Sequence, residues 1–264
     1  MLELQNISAG YGKRPVLREV TLVFPDGRVT ALLGANGCGK STLLRAAAGL
    51  LRPTAGRILL DGTGRETLSP REAARRLAYL PQLRPVPDIT ARRLVLHGRF
   101  PYLSYPRQYR REDEEAAERA LEQAGAAALA ERRVPELSGG ERQRVYLAMA
   151  LAQETATVLL DEPTTYLDVR CQLETMELLR ALARAGKAVG VVLHDLQLAM
   201  RYADRLAVME AGRLLQTGTP AQLCESGALE RALGVRIGKA QTEDGAQYYA
   251  ALRTASAERC GIIR

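Results

Sequence analysis

Histidine, cysteine and lysine are scarce in this chain of 264 residues, with two, four and four copies. Cys38, Cys171, Cys224 and Cys260 stand far apart, with no CxxC pair and no clustered histidine. That spacing argues against a zinc site. The start, Met1-Leu-Glu-Leu-Gln5, carries no basic region or apolar stretch of a secretory signal. Free thiols are therefore expected rather than a disulfide framework. No apolar run approaches the ~18 residues of a membrane span, and candidates such as Val189–Leu193 are strand-sized. The expectation is a cytosolic chain that reaches a membrane only if something recruits it.

An excess of acidic residues is missing too: the formal charge is +7, which raises the question of nucleic acid. The cations, however, are almost all arginine, scattered along the chain and often alternating with acids, as in Arg110-Arg-Glu-Asp-Glu-Glu115. No RRM, helix-turn-helix or basic run occurs, so no nucleic-acid partner is expected.

What is present is periodicity. Leu2–Ile7 and Val16–Phe24 alternate apolar and polar residues and predict half-buried strands. Arg28–Leu33 predicts a strand that ends in the glycine-rich Gly34–Gly39, and a helix follows over Ser41–Leu50, stopped around Gly49 and Pro53. Further strands are predicted at Arg57–Leu60 and Leu77–Leu80. Between Pro81 and Pro135 prolines cluster and then give way to an Ala/Glu/Arg-rich helix predicted over Glu112–Ala130, which reads as a helical insertion. From Leu137 onward helices over Glu141–Ala152, Cys171–Arg184 and Leu196–Tyr202 alternate with strands Thr157–Leu160, Ala188–Leu193 and Arg205–Met209. Alternation of this kind implies a parallel sheet with right-handed crossovers. Beyond Gly234 the periodicity weakens.

Gly34-Ala-Asn36-Gly37-Cys38-Gly39-Lys40-Ser41 satisfies G-x-x-x-x-G-K-[ST] between a predicted strand and a predicted helix, with Thr42 next in line. With 23 glycines and four lysines in the chain, random order yields roughly 0.003 such matches. The glycines let backbone N–H groups curl around phosphates and the helix N-terminus adds a favourable dipole. Lys40 reaches the β/γ-phosphates and the Ser41 hydroxyl ligates Mg²⁺, so the cofactors expected are ATP and Mg²⁺. The thiol of Cys38, inside the loop, is expected to face the nucleotide. Thr157-Val-Leu-Leu-Asp161-Glu162 delivers two acids at a strand's C-terminal end, Asp161 for the metal and Glu162 to orient or deprotonate a water.

Leu137-Ser138-Gly139-Gly140-Glu141-Arg-Gln143 reads either as a helix N-cap by Ser138 or as a nest for a further phosphate. Together with the two motifs above it resembles the ABC ATPase family over residues 1 to about 234. The Walker A motif matches Gly34–Thr42, the signature matches Leu137–Gln143 and the Walker B motif matches Thr157–Glu162. The Q-loop glutamine matches Gln82, the D-loop matches Thr165-Tyr-Leu-Asp168, the switch histidine matches His194, and Tyr11 matches an aromatic that stacks on adenine. Glu141 stands where many members have Gln.

The resemblance implies an α/β P-loop cassette. It has a RecA-like parallel-sheet core, an antiparallel β subdomain and a helical subdomain at about 85–145. Residues 235–264 are a C-terminal extension to which the sequence assigns no role. It further implies a dimer, with a second copy or a close paralogue, in which Ser138, Gly139, Gly140 and Glu141 contact ATP bound to the other subunit, with Asp168 across the interface. Glu162, His194 and Gln82 carry catalysis, and Ser41, Gln82 and Asp161 hold the metal. His97 has no such context and reads as structural.

Gly98-Arg-Phe-Pro-Tyr102, Leu151-Ala-Gln-Glu-Thr155 and Leu193-His-Asp-Leu196 are similar to ATPases of ferric-siderophore, haem and cobalamin importers. Their membrane partners would be multi-span permease subunits served by a solute receptor, which puts the chain on the cytoplasmic face of the membrane as a peripheral subunit. In such importers the region of Arg84–Pro106 forms the groove for the permease, and Arg99 is expected on that surface. The competing reading is a soluble ABC ATPase acting in iron–sulfur assembly or on nucleic acid or ribosomes.

Overall fold

The computed structural model describes residues 1–165, 167–242 and 245–252. Tyr166 of the D-loop match, Cys260 and the end of the C-terminal extension lie outside the described residues.

In chain order the elements are β1 (Leu2–Tyr11), β2 (Arg14–Phe24), β3 (Val29–Leu33), α1 (Lys40–Ala47), β4 (Ala55–Leu60), β5 (Thr63–Gly64), α2 (Pro70–Ala74), β6 (Leu77–Leu80), α3 (Ala91–Leu96), α4 (Arg111–Gln123), α5 (Gly139–Ala152), β7 (Thr157–Asp161), α6 (Val169–Arg184), β8 (Ala188–Val192), α7 (Leu196–Tyr202), β9 (Arg205–Glu210), β10 (Arg213–Gly218), α8 (Pro220–Glu225), α9 (Ala228–Leu233), β11 (Val235–Thr242) and β12 (Gly245–Leu252). Six strands form the central sheet in the order β10-β9-β3-β8-β7-β6. Its pairs are parallel except at the β10 edge. Strands β2-β1-β4-β5 make a separate antiparallel sheet.

Strands β3, β7 and β8 are buried along their whole length, as expected where both faces of a parallel sheet are covered. Their alternation still sorts side chains. Val29, Ala31, Leu33, Val158, Leu160, Val189 and Val191 join the core under the helices, while Leu32, Leu159, Ala188 and Val192 face the core shared with α1 and the antiparallel sheet. Residues two apart share a face because the strand period is two.

The expected elements fall close to their ranges, while β5, β10, α2, α3, α8 and α9 are additional, and three places differ in a way that has a local cause. The helix over 112–130 ends at Gln123. Ala126 N–H donates to Leu121 O and Gly125 N–H to Glu122 O, a Schellman closure that requires the left-handed φ of 61° at Gly125. The signature helix begins at Gly139 rather than 141 because Ser138 caps it. Beyond Gly234 the chain forms the β11–β12 hairpin, with β12 packed on α7 and the Ile237 N–H donating to Glu230 at 2.7 Å. Among the described residues no helix is long and apolar enough to cross a membrane.

Helices α3, α4 and α5 pack together as the inserted helical unit. Here one expectation fails: Arg99 is not on the surface. It is 7% exposed, pairs with Asp113 at 3.1 Å and Glu154 at 2.7 Å, and donates to Ala152 O at 2.8 Å. Its guanidinium also lies 4.0 Å from the centre of the Tyr102 ring. The Gly98–Tyr102 turn packs the arginine inward because two carboxylates and the last carbonyl of α5 converge there. Breaking such a buried pair costs about 3–5 kcal/mol, so Arg99→Glu is expected to lower the melting temperature by about 10 °C rather than to leave the fold intact. A thermal melt of the variant that overlays the wild type contradicts this.

Candidate functional site: a phosphate loop at the strand ends

The register of the sheet brings the chemistry to one edge. Leu80 pairs with Leu160, so Gln82 and Glu162, each two residues further on, leave adjacent strands at the same height. Val192 pairs with both Asp161 and Leu32, so His194 and Gly34 each emerge one residue beyond that level. Ligands sit at the C-terminal ends of strands in open α/β sheets.

The loop from Gly34 to Gly39 connects β3 to α1. A Cβ at Gly34 would sit 2.2 Å from Met209 O, and φ there is 147°, so the chain passes only as glycine. The Lys40 ammonium, 5% exposed, donates to Gly34 O at 2.7 Å and Ala35 O at 3.0 Å and braces the loop's mouth. Asn36, Gly37, Gly39, Lys40, Ser41 and Thr42 line a cavity of about 450 Å³ whose opposite wall is Gln82, Glu162, Thr165 and His194. Tyr11, half-exposed at the end of β1, has its hydroxyl 3.4 Å from Arg45 Nη1 on α1.

Ser41 Oγ donates to Asp161 Oδ1 at 2.9 Å and the Tyr79 hydroxyl to Asp161 Oδ2 at 3.2 Å. Burial holds the Asp161 carboxyl above the usual carboxylate range, against the opposing pull of those two hydrogen bonds. Burial, reinforced by Asp161, pushes the Tyr79 phenol up to about 12. Glu162 sits at φ 53° in the turn after β7, a region that non-glycine residues rarely occupy. Its carboxylate is clamped on both sides. Gln82 Nε2 donates to Oε2 at 2.5 Å, His194 Nε2 lies 2.5 Å from Oε1, and Thr165 Oγ1 adds a third contact at 3.2 Å. Tyr79 and Thr165 were not foreseen as site residues. Tyr79 carries a weak sequence signal, a lone polar-tipped aromatic on an otherwise apolar strand, whereas Thr165 is set only by the turn after Glu162.

One expectation needs correction. Cys38 points away from the cavity: its side chain is 6% exposed, and it packs in the core beneath the loop with its Sγ 3.9 Å from Lys40 Nζ. The loop presents backbone to the cavity while this side chain fills space behind it. Glu141 is occupied with its own helix. It accepts from Ser138 N–H at 2.8 Å while Ser138 Oγ accepts from Glu141 N–H at 3.3 Å, a capping box, and it pairs with Arg132. Ser138, Gly139 and Gly140 are not among the residues lining the phosphate-loop cavity; Gly139 and Gly140 border two neighbouring cavities instead. Asp168 caps α6 by accepting from Cys171 N–H at 2.8 Å. His97 stacks on Phe100 at 5.0 Å, a packing contact within the helical unit.

The ABC transporter family model matches residues 17–165, more than half of the chain. The chain belongs to the ABC transporter family. As an ABC ATP-binding subunit it is an ATPase that binds nucleotide. It is 44% identical over 234 residues to the ferric enterobactin transport ATP-binding protein FepC of Escherichia coli (strain K12), covering 88% of this chain and 86% of that one. It is 47% identical over 219 residues to the hemin import ATP-binding protein HmuV of Nocardia farcinica (strain IFM 10152), covering 83% and 75%. Its fold is similar to that of a bacterial ABC transporter cassette solved as a dimer. That likeness has a TM-score of 0.72 and 29% identity, and covers 83% of this chain and 99% of the other.

The buried Cys38 of this ATPase is expected to resist N-ethylmaleimide in the folded state and to react fully only after denaturation. Mass-spectrometric detection of rapid Cys38 labelling on the folded protein contradicts the inward orientation.

Proposed function

We propose that this ABC ATPase powers import of ferric siderophores, acting as a homodimer on the cytoplasmic side of a multi-span permease that a solute receptor supplies. Residues 1–234 form the ATPase domain in this reading, and the β11–β12 hairpin with the rest of 235–264 is an appendage. The observation that carries the chemistry is the Glu162 carboxylate clamped between Gln82 and His194 across a cavity from Lys40.

ATP binding exchanges the loop carbonyls on Lys40 for β/γ-phosphate oxygens, while the N–H groups of the turn into α1 cradle the phosphates. Tyr11 stacks on the adenine. Ser41, Asp161 and the amide oxygen of Gln82 would hold Mg²⁺. One carboxylate with neutral oxygen donors is a set this hard cation accepts when substrate phosphates complete its shell. When bound, it neutralises charge that builds on the phosphates. Glu162, oriented by Gln82 and His194, takes the proton from the attacking water.

A second copy is required because Ser138, Gly139 and Gly140 stand outside the cavity of their own chain. The partner's signature completes the phosphate contacts, and Asp168 lies at the shared boundary. The resemblance to a cassette solved as a dimer supports this reading. Docking to a permease is supported by exposed apolar side chains in the expected groove, Val86, Phe100 and Tyr105. Siderophore cargo is supported by the likeness to the ferric enterobactin subunit over most of both chains. The hemin relative makes haem the second reading.

Glu162→Gln is expected to retain MgATP affinity and lose about 10²–10⁴-fold in turnover, the usual worth of a positioned base. A strain lacking the gene is expected to fail on iron supplied as a ferric siderophore. Wild type should restore growth and Glu162→Gln should not. Near-normal turnover of the variant rejects the role of Glu162. Normal siderophore use by the deletion strain, with hemin use lost, moves the cargo assignment to haem.

A further inference from the structure

The segment that follows Gln82 has no regular structure between β6 and α3. Among the described residues, one hydrogen bond anchors the main chain of residues 83–87 from outside the segment: the Tyr146 hydroxyl donates to Pro85 O. Tyr146 is 3% exposed on α5, and the Arg84 guanidinium lies 4.9 Å from the centre of its ring. Beside this pin is a gap rather than packed core. A cavity of about 300 Å³ is bordered by Gln82, Arg84, Gln143, Tyr146, Glu162 and Thr165. Gln143, 7% exposed, borders it with a buried amide nitrogen that has no partner among the described residues.

Helix α5 therefore holds two things at once. Its N-terminus carries Ser138 and Gly140, and eight residues along, about 12 Å at the helical rise, it grips the segment three residues beyond Gln82. Gln82 in turn donates to Glu162 at 2.5 Å. The segment, fastened to α5 through Tyr146 and Arg84 beside open space, is carried with the helix when the helix end is displaced. Close-packed cores do not allow such movement.

We propose that Tyr146 is a positioning residue that links nucleotide contact at the start of α5 to the Gln82–Glu162 pair of the same chain. This rests on the homodimer reading, in which the start of α5 contacts ATP held by the other subunit. Binding at one ATP site then aligns the catalytic carboxylate at the other. The two sites are thereby coupled through Tyr146, Pro85 and Gln82, and such coupling appears as cooperative turnover.

The test is steady-state ATPase activity of the purified full-length chain against ATP and against enzyme concentration. Wild type is expected to show a Hill coefficient approaching the ceiling of about 2 that two sites allow. Tyr146→Phe, which removes only the bond to Pro85, is expected to bring it to about 1 and to lower kcat about tenfold. MgATP affinity should stay within about twofold and the melting temperature should hold. Arg84→Gln, which keeps the hydroxyl and removes the stacking, is expected to shift the Hill coefficient in the same direction by less, and serves if Tyr146→Phe folds poorly. A Hill coefficient and kcat unchanged in both variants overturn the role of Tyr146. A wild-type rate that is non-cooperative and strictly proportional to enzyme concentration removes the homodimer reading, and the proposal with it.

Discussion

Parallel strands paired in register must end together, and in this molecule that constraint assembles the site. Leu80 opposite Leu160, and Val192 opposite both Asp161 and Leu32, leave Gln82, Glu162, His194 and the phosphate loop at one edge of the sheet, although 160 residues of chain separate Gly34 from His194. Hydrogen-bond ladders fix the register, and burial on both faces holds it: a slip of one residue would exchange the two sets of core side chains along each strand. The phosphate loop, the buried Asp161 carboxylate and the clamped Glu162 carboxylate are separate excursions from this shared edge.

The arrangement places opposite demands on two adjacent acids. Asp161 is the last residue of β7 and is buried, so it needs Ser41 and Tyr79 to satisfy its oxygens. Glu162 is the first residue beyond the strand and turns away through a left-handed backbone conformation toward Gln82, Thr165 and His194. Backbone strain of about 1–3 kcal/mol is tolerated where the surroundings over-determine the conformation, and three side chains converge on this carboxylate. One peptide step thus separates a group suited to a cation from one suited to a water.

The helical unit between β6 and β7 is fastened differently. Its interior holds small residues on α4, Ala116, Ala117 and Ala120, which let the helices approach closely. The buried Arg99 network ties the turn after α3 to α4 and to the end of α5. Toward the nucleotide edge the packing opens into cavities bordered by the signature helix. The unit is therefore firm where it joins the sheet and loose where it faces the site.

The local motifs were legible in the sequence because each is a short-range demand. Gly34 takes a φ of 147° in the tight turn from β3 into α1, a buried strand must be apolar before Asp161, and Ser138 with Glu141 closes a helix end within four residues. Family likeness added Gln82, His194 and Asp168, which no spacing rule would have singled out. The sequence did not reveal which way Cys38 points or that Arg99 is buried, since both depend on partners far along the chain: the core beneath the loop for one, Asp113 and Glu154 for the other. Nor did it reveal Tyr79 on Asp161 or Tyr146 on Pro85. The sequence alone determined the phosphate loop, the paired acids and the α/β alternation, because backbone geometry and burial act within a few residues. Tertiary structure alone decided which side chains face the cavity and which brace it, because that follows from the register and packing of segments tens of residues apart.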